Sequence, residues 1–97
     1  MTTSNFPRIY KFTAQTTVSK LLSLNPKRKA VLIYNAGAVT VELLSSSQSG
    51  YGAGIPIGVG MTYSNDHFNP TGEYFVIANG ATCDLRVEED IQNAESQ

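Results

Sequence analysis

Turn-forming residues punctuate this chain about every ten positions, and the apolar residues between them never hold a helical period for long. Asn25-Pro26, Asn35-Ala36-Gly37, the glycines at 50, 52 and 54, Asn69-Pro70-Thr71-Gly72 and Asn79-Gly80 cut it into segments of strand length. A chain divided this way is expected to be all-β: a small β-sandwich or jelly roll of about seven or eight short antiparallel strands. An OB-type barrel is the nearest structural competitor.

The segments themselves read as strands. Phe6, Arg8, Tyr10 and Phe12 share one face of an extended run, with Ile9 and Lys11 on the other. Residues 16–24 offer Val18, Leu21 and Leu22 at helical spacing, but Thr16, Thr17 and Val18 are β-branched and Pro26 drives Asn25 out of the α region, which favours a strand. Residues 30–35 are apolar on both faces, as in a central strand. Gly37 permits a turn, after which Val39, Val41 and Leu43 alternate with Thr40, Glu42 and Leu44 in the manner of a hairpin return. Pro56 confines Ile55-Pro56-Ile57 to an edge or a strand start. Residues 74–78 and 82–88 flank Asn79-Gly80, which reads as a primed hairpin turn. Residues 1–5 are then a flexible arm, 6–89 the sandwich, and 90–97 a tail that is disordered or laid on a partner.

Charge narrows the function. The formal net charge is -1, which argues against nucleic acid, because neutralising a phosphate backbone needs clustered Lys and Arg in surplus. Charged residues make up 15%, against about 25% in an ordinary soluble domain. Thr, Ser and Asn supply 25 of the 97 residues instead, so the expected surface is polar but weakly charged. One cysteine allows no intrachain disulfide. Residues 1–5 carry no signal-peptide pattern and no run approaches the roughly 18–20 apolar residues of a membrane helix. The expectation is a protein made and kept in the cytosol, with no membrane partner, unless it leaves as part of something larger.

No catalytic constellation emerges. The glycines between 50 and 60 do not open a helix, and no Gly-Lys-Ser or Gly-Lys-Thr follows, so a hairpin loop is preferred to a phosphate cradle. His67, the only histidine, lies beside Asp66 and Asn69 without an evident nucleophile or second ligand, and reads as a polar turn residue. Cys83 falls on the apolar face of the last strand, where a thiol packs as a small hydrophobe. Lys27, Arg28 and Lys29 gather three of the seven basic residues; a solvated turn is the default reading, and of the functional options an acidic protein surface is preferred to nucleic acid. The chain is therefore expected to be no enzyme, with no cofactor, no metal and no small-molecule substrate.

The order of features resembles a group of small virion proteins of tailed bacteriophages. The pattern is carried by Asn25, Pro26 and Arg28, then Val31-Leu32-Ile33, Asn35 and Gly37, then Ile57 and Gly60, Asn69-Pro70-Thr71-Gly72, the strand 73–78 and the segment 81–88, closing on Arg86-Val87. It departs from the pattern at Val41-Glu42-Leu43-Leu44. The resemblance implies a non-enzymatic capsid decoration, or cement, protein on the outer surface of the virion, a homotrimer bridging subunits of the major capsid protein. Tail, adaptor or fibre components are the alternative it leaves open, including a carbohydrate-binding tip that would stack sugars on Tyr51, Tyr63 or Phe68. The expected protein contacts are Thr2, Thr3 and Phe6 of the arm, Lys27, Arg28 and Lys29, and Ser46 and Tyr51 of the 45–54 loop.

Overall fold

A computed structural model describes residues 4–47, 51–66 and 70–93, the side chains of 4–6 and 93 excepted. In chain order the strands are β1 (Ser4–Ala14), β2 (Ser19–Leu22), β3 (Arg28–Asn35), β4 (Val41–Leu44), β5 (Ile55–Ile57), β6 (Thr62–Asn65), β7 (Tyr74–Ala78) and β8 (Cys83–Asn93). No helix occurs among the described residues. The all-β expectation holds.

The strands form two four-stranded sheets: sheet A in the order β1-β8-β3-β6 and sheet B in the order β2-β7-β4-β5. All pairings are antiparallel, and they nest: β1 with β8, β2 with β7, β3 with β6, β4 with β5. A long hairpin tipped at the β4–β5 loop and rolled on itself gives this nesting. The added pairs β3·β8 and β4·β7 close the two sheets. This is the eight-stranded jelly roll.

Two hairpins read from the sequence are corrected by this topology. β4 does not return beside β3, nor β8 beside β7, because each pair is split between the sheets. Only the β4–β5 connection stays within one sheet. Asn35-Ala36-Gly37 and Asn79-Gly80 are corners that carry the chain from one layer to the other. The strand limits also move outward: Ser4 pairs with Asn93, and Ile91 is 7% exposed, so the sheet takes in residues assigned to arm and tail.

Alternation puts Val31 and Ile33 of β3, Leu85 and Val87 of β8, Val41 and Leu43 of β4 and Val76 of β7 between the sheets. Each such side chain contributes about 1.5–3 kcal/mol by leaving water. Leu44, Phe75 and Ile77, of opposite parity, form a second buried cluster on the outer face of sheet B. β3 lies between β8 and β6, and its two ends carry the polar residues on which the connections are hung.

Candidate functional site

The first turn of the site is local. Asn25 Oδ1 accepts the Lys27 N–H at 3.0 Å and the Asn25 carbonyl accepts the Arg28 N–H at 3.1 Å, with Pro26 at the position where its fixed φ suits a turn. A register shift between Arg28 and Ala30 follows. Without it Lys29 would share the inward face of Val31 and Ile33; the bulge sends Lys29 outward and turns Arg28 into the sandwich.

Arg28 is 2% exposed and its guanidinium is nearly saturated. Nε donates to Glu89 Oε1 at 2.9 Å, Nη1 to the carbonyls of Pro70 and Gly72 at 2.9 and 3.0 Å, and Nη2 to the carbonyl of Ser23 at 2.8 Å. The Asn25 N–H adds a bond to the Thr71 carbonyl at 2.9 Å. Glu89 also accepts from the Tyr10 hydroxyl at 3.0 Å, and Arg8 stands 3.8 Å from the same oxygen, its guanidinium over the Tyr10 ring. Burial first, and the bond to Glu89 second, hold the Tyr10 hydroxyl protonated well above its ordinary range. We call this assembly the Arg28 clasp. It joins the β2–β3 loop, the β6–β7 loop and β8.

The other end of β3 carries a neutral counterpart. Asn35, fully buried, donates through Nδ2 to the carbonyls of Val39 and Ile57 at 2.9 and 2.8 Å. Its Oδ1 accepts from the Gly37 N–H and the Cys83 thiol, both at 3.0 Å. A side chain at Gly37 would collide with Cys83 Sγ and come within 2.7 Å of the Asp84 nitrogen, which is why the turn needs glycine there. Cys83 is thus in the core as expected, and also a hydrogen-bond donor. A third polar device lies on sheet B: Glu42, 7% exposed, accepts the N–H groups of Gly52 and Gly54 at 2.6 and 3.1 Å. The loop donors that a phosphate would require already serve a carboxylate. Gly54 also packs against Leu43 and Leu44 too closely for a Cβ.

The expected contact residues scatter. Arg28 is corrected outright: it is a buried structural group, because the bulge turns it inward. Lys27 and Lys29 stay exposed on the turn. Ser46 is exposed, and Tyr51 is 43% exposed beside the pinned Gly52. Thr2, Thr3, His67 and Phe68 lie outside the described residues, and of Phe6 only the backbone is described, paired with Ile91. Glu89 and Asn35 were not anticipated as site residues. The signal for Glu89 was its parity, since it continues the inward series Cys83, Leu85, Val87.

Two surface features remain. Between the sheets, a cleft of about 430 Å³ is lined by Leu43, Tyr63, Asn65, Glu73 and Tyr74 among others. The Tyr63 and Tyr74 rings meet edge to face with centroids 6.4 Å apart, and Asn65 Nδ2 donates to the Tyr74 hydroxyl at 2.9 Å. Burial, then the Tyr74 neighbour, raises the Tyr63 hydroxyl pKa. On the outer face of sheet A, a groove of about 440 Å³ is lined by Pro7 of β1, Glu88 and Asp90 of β8, Ala30 and Leu32 of β3, and Asp66 past the end of β6, with the two β8 carboxylates between the apolar residues of the flanking strands. No group of three or more His, Cys, Asp or Glu suited to a metal ion occurs among the described residues.

Fold and site together define a jelly-roll protein whose buried polar groups serve its own loops. No protein-family model matches the chain, and no curated relative was found. Among solved structures it is similar to a subunit of Bacillus endospore appendages, a family of disulfide-linked pili, at 15% identity and a TM-score of 0.54 over 96% of this chain and 90% of that one. At that identity the likeness establishes the sandwich fold alone.

Proposed function

We propose that this chain is a non-enzymatic structural subunit of a tailed-bacteriophage particle, a capsid decoration protein that forms a homotrimer and bridges subunits of the major capsid protein on the outer shell. The observation that carries the reading is how the chain divides its chemistry between interior and surface. Two of the segments bearing the resemblance, those at Arg28 and at Pro70-Thr71-Gly72, meet in the clasp with Glu89, which directly follows a third, 81–88, and all serve the frame. On that frame Ile9, Leu24, Ile55, Val59 and Met61 are each more than half exposed. Large apolar side chains held in water on a rigid body suit burial against neighbouring subunits. Small contacts repeated by symmetry would then add up through multivalency.

A disulfide-linked mode of assembly, as in the structurally similar pili, does not suit this chain. Its one cysteine is 2% exposed and bonded to Asn35. The carbohydrate-binding alternative draws on the Tyr63–Tyr74 cleft, but stacking needs open ring faces, and Tyr74 is 7% exposed with its hydroxyl already engaged. The deciding experiment is a reconstruction of particles, or of isolated capsids incubated with the purified protein. Density on the outer shell at junctions of capsid subunits is the expected result. Density confined to the tail would move the reading to an adaptor or fibre, and failure to bind any particle would overturn it.

A further inference from the structure

The described structure contains four ion pairs: Arg8–Glu89, Lys20–Glu73, Arg28–Glu89 and Asp84–Arg86. They leave, besides the isolated Lys11 on β1, two sets of charges that pair with nothing among the described residues. One set is basic: Lys27 on the turn after β2 and Lys29 at the start of β3 are exposed, close in the chain to Pro26 and to Leu24, the last 66% exposed. The other is acidic and lines the groove on the outer face of sheet A, where Glu88 and Asp90 of β8 stand between Pro7 on one side and Ala30 and Leu32 on the other, with Asp66 past the end of β6. Turn and groove match in charge, two exposed lysines against three carboxylates, and each carries apolar side chains beside its charges.

We infer that copies of this chain associate by seating the turn at residues 24–29 of one copy in the sheet A groove of another. The turn cannot swing into the groove of its own copy. The Asn25 bonds to Lys27, Arg28 and Thr71 and the four donors of Arg28 fix it to the sandwich. That same fixation favours an intermolecular contact, because a knob already held in shape loses little freedom on docking. Turn and groove adjoin, Lys29 directly preceding the groove's Ala30 in β3, so two copies can exchange the contact about a two-fold axis or pass it on head to tail. The inference goes beyond the preceding reading, since it requires no capsid.

Charge reversal provides the test, with mass read by light scattering or sedimentation on the full chain at about 25 mM and about 0.5 M salt. The wild type should associate at low salt and loosen at high salt. Lys27→Glu/Lys29→Glu and Glu88→Lys/Asp90→Lys should each weaken association on the order of 100-fold, because like charges then face one another across the contact. The chain carrying all four substitutions should regain it, and so should a mixture of the two double variants, although neither associates alone. Thermal melting and circular dichroism confirm that each variant is folded. A wild type that stays monomeric at low salt overturns the inference. So does association indifferent to either reversal, or a folded quadruple variant that fails to recover. Particle binding is scored separately, so loss of the capsid reading would leave this result standing.

Discussion

β3 begins on a charged clasp and ends on a neutral one, and the two solve the same problem at different risk. Arg28 reaches the carbonyls of Ser23, Pro70 and Gly72 and the carboxylate of Glu89, so it binds segments from three parts of the chain. Asn35 gathers the Val39 and Ile57 carbonyls, the Gly37 N–H and the Cys83 thiol, and fixes the corner that carries the chain from sheet A to sheet B. Burying the ions costs desolvation that their attraction and extra hydrogen bonds must offset. Burying an amide costs less and leaves less exposed to loss. The comparison teaches that the loop-bearing end of the sandwich depends on a pair that is safe only while both members are present.

The largest expected effect follows directly. Arg28→Met should destabilise the fold by about 3–5 kcal/mol in urea unfolding, since it leaves Glu89 buried without its cation and strips three carbonyls of their donor. Arg28→Met with Glu89→Leu should recover part of that loss, because no unpaired charge remains. A double variant no better than the single one would show that the carbonyl bonds, not the ion pair, dominate the clasp. At the neutral end Asn35→Leu should cost about 2–3 kcal/mol, by taking the side-chain partner from the Gly37 N–H and the Ile57 carbonyl, while the Val39 carbonyl keeps the Cys83 thiol at 3.2 Å. If it cost as much as Arg28→Met, the distinction between the clasps would fail. Gly37→Ala should cost about 2 kcal/mol through overpacking. Adding Cys83→Ala should relieve it only in part, because the Asp84 nitrogen, a backbone atom, stays in the way.

These residues also mark where the sequence is legible. Strand content follows from alternation and turn spacing, which are local: the stretches read as strands each fall on one, with β2 confined to Ser19–Leu22 and β4 to Val41–Leu44. Connectivity is not local. Asn79-Gly80 has the chemistry of a hairpin turn, but the same residues serve a corner, and only the pairing of β8 with β1 and β3 decides which. Arg28 escaped for a different reason: a cation beside two lysines reads as surface, and a single bulge reverses the facing. Arg28 and Pro70-Thr71-Gly72 stand in order in the sequence, and only the fold brings them together at Glu89. Glu89 was recoverable from parity alone. The 24–29 turn was singled out for its charge, and that survives for Lys27 and Lys29 while Arg28 is reassigned to the interior.

The smallest expected effect concerns Tyr10, and it separates the clasps by pH. In the folded chain the hydroxyl is buried, bonded to Glu89, and faces Arg8 and Arg28, with the net effect of raising its pKa above the ordinary 10.0. In the unfolded chain it ionises near 10. Its contribution is therefore fully present below pH 10 and is lost progressively as pH rises from there toward the higher folded value, because only the unfolded state gains by ionising. Tyr10→Phe should lower stability by about 1 kcal/mol at neutral pH, through loss of the bond to Glu89. The variant should also show a shallower decline above pH 10, so that the two curves converge. Tyr63 is raised as well, by burial and by Tyr74, so some alkaline slope should persist and Tyr63→Phe should remove that remainder. Parallel curves for wild type and Tyr10→Phe across pH 9–11 would break the link between this hydroxyl and the charged clasp.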